Sequence, residues 1–330
     1  LLFPPYSRKS LDLILKFMKK YIFLLFILVT IAGQNYAQDA NEPSQEEAPK
    51  LKPKYAKNTF QATNIINMHS VEMVNKSNLQ FQVAHHFGVA WNKDATTGQN
   101  LAQVLGLNSG IAKTYISLDY SLFDHTNLGI AFAGNLTFEG WIKLKLLRQQ
   151  TGPKNVPVSI AWLSLTNANA QEDPSNDDNP NYVAWNKFSF LHQLLIARKL
   201  SPKLSLQVMP TLVHYNIIPY GINNSNNVFS LGLAGKYQAK PNTALTMEYS
   251  RQLNMYEDVL DISGSISNYA PDLFAVGVEF NTGGHVFQFY IGNTTSASNI
   301  EQLSRNLNFI KDGKFAMGFR LNRSFYIGKE

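Results

Sequence analysis

The feature that most constrains this chain is an alternation of apolar and polar residues that recurs from residue 79 almost to the C-terminus. Leu79, Phe81 and Val83 alternate with Gln80, Gln82 and Ala84, and Ile116, Leu118, Tyr120 and Leu122 with Tyr115, Ser117, Asp119 and Ser121. The same beat marks 204–209, 229–234, 245–250, 274–280 and 315–322. A side-chain period of two is that of a β-strand. Ser201-Pro202-Lys203, Lys240-Pro241-Asn242 and Thr282-Gly283-Gly284 are short enough to join neighbouring runs as tight hairpins. The connectors 92–110, 166–185, 216–227, 254–271 and 294–313 are longer and polar. Short turns alternating with long polar connectors fit a barrel of about twelve strands, each about the length a tilted membrane-crossing strand needs.

The second face of each run separates two architectures. A soluble sandwich has one apolar face and one charged, solvated face. Here the polar face carries Gly, Ala, Ser, Thr and Gln with few charges, and charged residues make up 16% of the chain while aromatics reach 12%. A membrane barrel has an apolar belt outside and small polar residues within. The fold expected is therefore all-β: a single antiparallel transmembrane β-barrel with a flexible N-terminal arm. A secreted β-sandwich binding module is the competing architecture.

The N-terminus reads as an address. Met18-Lys19-Lys20 precedes the apolar run Tyr21 to Ala32, and a cut after Ala37 would complete a secretory signal over 18–37. Residues 1–17 read as gene-model overrun ahead of Met18. Residues 38–57 are polar and aperiodic, a flexible periplasmic arm able to reach a periplasmic or envelope protein partner. The barrel is assigned to 58–330. The formal charge is +6, but the first 37 residues carry +4 of it, which argues against a nucleic-acid partner. There is no Cys, so disulfides, thiolate zinc sites and thiol catalysis are excluded.

Little else in the sequence points to chemistry. None of His69, His85, His86, His125, His192, His214 and His285 lies in a metal-binding spacing. By parity His85, His192, His214 and His285 fall on the apolar face, where an imidazole belongs near a membrane interface. His69-Ser70 has no Gly elbow to support a nucleophile. Neither a catalytic residue nor a cofactor is assigned. Asp119, Lys199, Lys236, Glu248, Glu279 and Arg320 share the polar parity and are the candidate lumen-lining charges. Lys236 and Glu248, on strands joined at 240–242, should point inward and meet. Arg323 shares the apolar parity of Phe319 and should sit near a headgroup layer or be shielded by a neighbouring strand.

Several segments resemble an uncharacterised family of outer-membrane β-barrel proteins of Bacteroidota, known as a domain-of-unknown-function family. They are Thr63-Asn64-Ile65-Ile66-Asn67 with Ser70-Val71-Glu72, His85-His86-Phe87-Gly88, Leu118-Asp119-Tyr120, 145–149, 193–199, and above all 279–288 with Asn293-Thr294. The chain departs from the family at Asn64 and His86, where relatives tend to carry Arg. The resemblance implies an exported outer-membrane barrel in contact with outer-membrane lipid, and no established activity. The turn Thr282, Gly283, Gly284 and His285 is its most specific motif. Its physical reading is a glycine hairpin. Two functions are open: a non-enzymatic passive channel for small polar solutes, or a closed barrel anchoring or assembling an envelope complex.

Overall fold

The computed structural model describes residues 52–104, 113–170, 183–216, 225–254, 259–260, 266–267 and 270–328. The signal-like segment and most of the 38–57 arm lie outside them, as do parts of the connectors 92–110, 166–185, 216–227 and 254–271.

Twelve strands make a closed antiparallel barrel. In chain order they are β1 (Asn78–Asn92), β2 (Lys113–Phe123), β3 (Thr126–Phe132), β4 (Thr137–Leu147), β5 (Ser159–Asn169) and β6 (Phe188–Lys199). They continue as β7 (Leu204–Tyr215), β8 (Asn227–Lys240), β9 (Thr243–Gln252), β10 (Asp272–Asn281), β11 (His285–Gly292) and β12 (Lys314–Tyr326). Each pairs with its neighbours in sequence, and β12 closes on β1 with Phe319 opposite His85 and Tyr326 opposite Asn78. Closure leaves no strand edge unpaired, which a bilayer interior requires. A sandwich is thereby excluded, since one continuous sheet closes on itself.

Both faces follow the alternation. Phe81, Leu118, Ile130, Leu206, Leu245, Phe289 and Met317 point outward and are exposed, Ile130 by 64%. Gln82, Ala84, Ser117, Ser205, Gln207, Ser230, Ala244, Ala275 and Ala316 point inward and are buried. Such an outer surface would be a severe liability in water and is the expected surface in lipid.

The strands meet at two unlike ends. One end, here the turn end, carries the connections at 124–125, 148–158, 200–203, 241–242 and 282–284, together with the start of β1 and the finish of β12. The opposite loop end carries the tight turn 133–136 and every long connector, including helix α1 (Thr97–Val104) and helix α2 (Asn299–Ser304). The family-motif turn is a glycine hairpin. Gly283 has φ of +85°, its N–H is accepted by Asn281 Oδ1, and the Thr282 N–H reaches the His285 carbonyl. Gly284 has no positive φ and open space where a Cβ would stand, so the turn requires one glycine.

Candidate functional site: an occupied lumen

Residues 59–74 do not cross with the wall. Phe60, Ile65, Ile66, Met68, Val71 and Val74 are buried, as are Thr63, Asn64, Asn67, His69 and Ser70. A short hairpin shapes the segment: Asn64 bridges His69, the Ile65 N–H donates to the Met68 carbonyl, and the Ser70 N–H to that of Thr63. Such a segment brings buried peptide groups that must find partners. The wall supplies them from around its circumference.

Four inward side chains do most of this. Glu248 on β9 accepts from the backbone N–H groups of Ile66, Asn67 and Met68 at 3.3, 2.9 and 3.1 Å. Lys143 on β4 donates to the carbonyls of Thr63, Ser70 and Glu72 at 3.2, 3.0 and 3.2 Å. Gln207 on β7 accepts from Val71 N–H and donates to the His69 carbonyl. Gln288 on β11 donates to the Ile65 carbonyl at 2.7 Å and to Glu279 at 2.7 Å. Gln80 on β1 adds a bond to the Thr63 hydroxyl. Strands β1, β4, β7, β9 and β11 therefore grip one segment that lies within the ring they form.

The segment leads to the turn end. The Lys236 ammonium donates to the Asn58 carbonyl and that of Lys199 to the Lys57 carbonyl, both at 2.7 Å. Lys54–Tyr55 then pairs antiparallel with Gln150–Thr151, and Arg148 stacks over the Tyr55 ring at 4.5 Å.

The six candidate charges all face inward, Lys199 at the rim and the others buried. Lys236 and Glu248 both point inward, and the register sets Lys236 opposite Thr246 as the hairpin spacing requires, but their direct partners are the main chain of 58–68 rather than each other. Asp119 accepts from the Trp141 indole at 3.0 Å, and Arg320 lies 5.6 Å from the Tyr115 ring. Glu248, Lys143 and Lys236 are solvated by peptide groups, and Asp119 and Glu279 by side-chain donors, rather than by one another. Among the described residues the one carboxylate–cation pair is Arg251–Asp272 at the loop end. A buried charge is tolerable only with such partners, so Glu248 and Lys143 need the segment as much as it needs them.

Sequence reasoning missed Lys143 and Glu139. A Trp141, Lys143, Lys145 parity was available on β4 and was the signal that could have found Lys143. Glu139 organises a second insertion. Its carboxylate accepts from the Ser298 hydroxyl, the Asn299 N–H and the Asn299 amide at 2.9, 2.8 and 2.7 Å. Ser298 caps α2, whose Ile300 and Leu303 are buried, and the Ser304 hydroxyl meets that of Tyr215. The connector after β11 thus folds into the loop end of the lumen. Between α2 and the tip of the 59–74 segment a cavity of about 10 Å³ remains, beside Asn67, His69, Gln193 and Asn299. That is about the room one water needs.

The histidines divide. His285 lies at the turn end, 2.7 Å from the Arg323 guanidinium, and His214 at the loop end against Asn227. His85 and His192 lie within their strands, not at an interface. His85 is bonded to the Thr114 hydroxyl and packed against Phe319, while His192 is stacked 5.9 Å from Trp162. The strand-to-strand hydrogen bond gives His85 what water would otherwise supply, whereas the buried His192 Nδ1 has no such partner. His86 faces inward and meets the Tyr290 hydroxyl. No group of three or more metal-ligating side chains occurs among the described residues.

A closed twelve-stranded antiparallel barrel with an apolar exterior and a polar interior is the build of a membrane β-barrel protein. The chain belongs to the membrane bound beta barrel domain family (DUF5777), whose pattern matches residues 60–325. That match takes in the lumenal segment together with the wall. No curated protein sequence matches the chain. Among solved structures it is similar to the KdgM porin, with 7% identity and a TM-score of 0.42 over 75% of this chain and 99% of that one. It is also similar to Salmonella typhi OmpF, with 7% identity and a TM-score of 0.34 over 75% and 97%, and to Acinetobacter baumannii Omp33, with 7% and 0.34 over 76% and 99%. Likenesses this distant carry no functional argument.

Proposed function

We propose that this protein is a non-enzymatic outer-membrane barrel, closed at rest by its own N-terminal segment, and that it serves as an anchor in the cell envelope. The observation that carries this reading is the grip of Lys143, Gln207, Glu248 and Gln288 on the main chain of 63–72. A passive pore has no use for wall charges committed to peptide groups. The strap through 53–58 leads from the plug to the turn end, which would direct residues 38–52 to a periplasmic partner.

A passive channel for small polar solutes is the second reading, and one observation favours it. The wall ladders run unbroken without the plug, which is held by side chains and not by strand pairing. Its withdrawal would leave a polar lumen inside an intact barrel. Single-channel recording in planar bilayers separates the two. The anchor reading expects a silent wild type and steady conductance once 59–74 is deleted. Steady conductance in the wild type would sink the closed-barrel reading and favour the channel.

A further inference from the structure

The two rims differ sharply in charge. At the turn end the exposed charged groups include Lys76, Arg148, Lys154, Lys203, Lys240 and Arg323, and Asp124 is the one fully exposed carboxylate there among the described residues. The loop end is mixed. Its exposed charged groups among the described residues are Lys93, Arg251 and Lys311 with Asp94, and the half-buried Asp312 and Asp272 lie beside Lys311 and Arg251, the latter pair at 2.9 Å. Two of its long connectors are acidic in sequence: 171–182 holds Glu172, Asp173, Asp177 and Asp178 with no Lys or Arg, and 253–271 holds Glu257, Asp258 and Asp261.

The basic groups also have a particular position. Lys203 lies between the outward Leu200 and Leu204, Arg148 follows Leu146 and Leu147, and Arg323 precedes Phe325. These apolar side chains are exposed by 49%, 37%, 55%, 44% and 42% in that order. Lys203, Arg148 and Arg323 thus cap the apolar belt at the level where acyl chains give way to headgroups. They are distributed around the ring, at the start of β1, after β4, between β6 and β7, at the end of β8 and near the end of β12. A protein partner is met by a patch on one side. A ring of like charge is met by something that encircles the barrel, and a lipid leaflet does so.

We infer that the turn-end rim is a binding surface for the phosphate headgroups of anionic glycerophospholipids in the leaflet that surrounds it. This rests on the outer-membrane reading above. The attraction is that of clustered Lys and Arg for an anionic surface, and it weakens with salt.

The test uses the full chain refolded into vesicles of phosphatidylcholine alone or mixed with phosphatidylglycerol. Native mass spectrometry then counts the lipids retained on release into detergent. The wild type should retain phosphatidylglycerol several-fold over phosphatidylcholine. The variant Lys154→Gln/Lys203→Gln/Lys240→Gln should lose that preference, and the loop-end control Lys93→Gln/Lys311→Gln should keep it. Equal retention of both lipids by the wild type overturns the inference, as does equal loss in both variants. If a polyglutamate peptide binds the rim while phosphatidylglycerol is not retained, the surface faces an acidic protein and the inference falls. Heat-modifiable migration in phosphatidylcholine alone reports insertion separately. Failure to insert anywhere would sink the membrane reading, whereas insertion without a lipid preference sinks the rim alone.

Discussion

At the scale of single residues, small side chains on the wall are where the interior gains its room. Gly129 on β3 lies under the Trp141 indole, and a Cβ there would overlap the ring itself. The same indole donates to Asp119 at 3.0 Å and meets the His69 ring edge-on at 5.5 Å. Gly129 therefore connects wall, buried carboxylate and plug through one aromatic ring. Gly129→Ala should displace the indole and leave Asp119 without its donor, at a cost of about 1–3 kcal/mol. The exposed Gly98 on α1 is the control, since nothing lies within 4 Å of its Cβ position. Chemical unfolding of the refolded proteins should show a lower midpoint for Gly129→Ala and none for Gly98→Ala. Equal midpoints would mean that Trp141 can move freely, and that the contact between wall and plug is looser than its geometry. The parity of Asp119, Glu248, Glu279 and Arg320 was readable from the alternation alone, because a period of two fixes the face of every residue in a run. What each of these side chains touches was not: Glu248 is held by peptide groups, which every residue has, and Asp119 and Glu279 by a Trp141 indole and a Gln288 amide whose approach only the closed barrel sets.

At the scale of elements, the plug is the part that periodicity cannot find. Residues 59–74 scatter Phe60, Ile65, Ile66, Met68, Val71 and Val74 with no period of two or of 3.6, since the segment is surrounded on all sides and has no solvent face. The resemblance marked 63–72 without a physical reason for it, and the grip of the wall provides one. The strands are the opposite case: lipid outside and a crowded lumen inside impose a repeat that survives in the sequence. The plug also carries a titration. His69 is buried beside Trp141, and that burial, with Lys143 and Arg320 adding to it, holds its imidazole well below the ordinary value of 6.5. A released plug would give His69 its ordinary value. The released state then binds the extra proton, so seating is strongest above about pH 7 and weakens as pH falls through about 6.5, by up to about 1.4 kcal/mol per unit. Hydrogen exchange over 64–71, corrected for its intrinsic pH dependence, should show less protection at about pH 5 than at about pH 7.5. His69→Phe should remove the difference. If the variant and the wild type respond alike, the linkage lies with other groups.

At the scale of the molecule, the barrel is asymmetric along its axis in three ways that agree. Its short turns other than 133–136, both ends of its wall and the strap to the plug share one end, and that end is basic. Its long connectors, the inserted α2 and the acidic stretches 171–182 and 253–271 share the other. A barrel that enters the membrane from the periplasm must carry one set of connections across, and short turns at the trailing end with long loops at the leading end are the usual result. The orientation expected is turn end in the periplasm and loop end outside, with 53–58 on the periplasmic side. Protease added to intact cells should therefore cut within 166–185 or 254–271 and leave the turns intact. The turn at 241–242 and the strap at 53–58 should become cleavable once the outer membrane is permeabilised. Fragment masses distinguish these sites, because cleavage within 166–185 and cleavage at 241–242 divide the chain at well-separated positions. Cutting at 241–242 in intact cells, with 166–185 protected, would invert the barrel. The basic rim would then face the medium, and the strap could no longer reach a periplasmic partner.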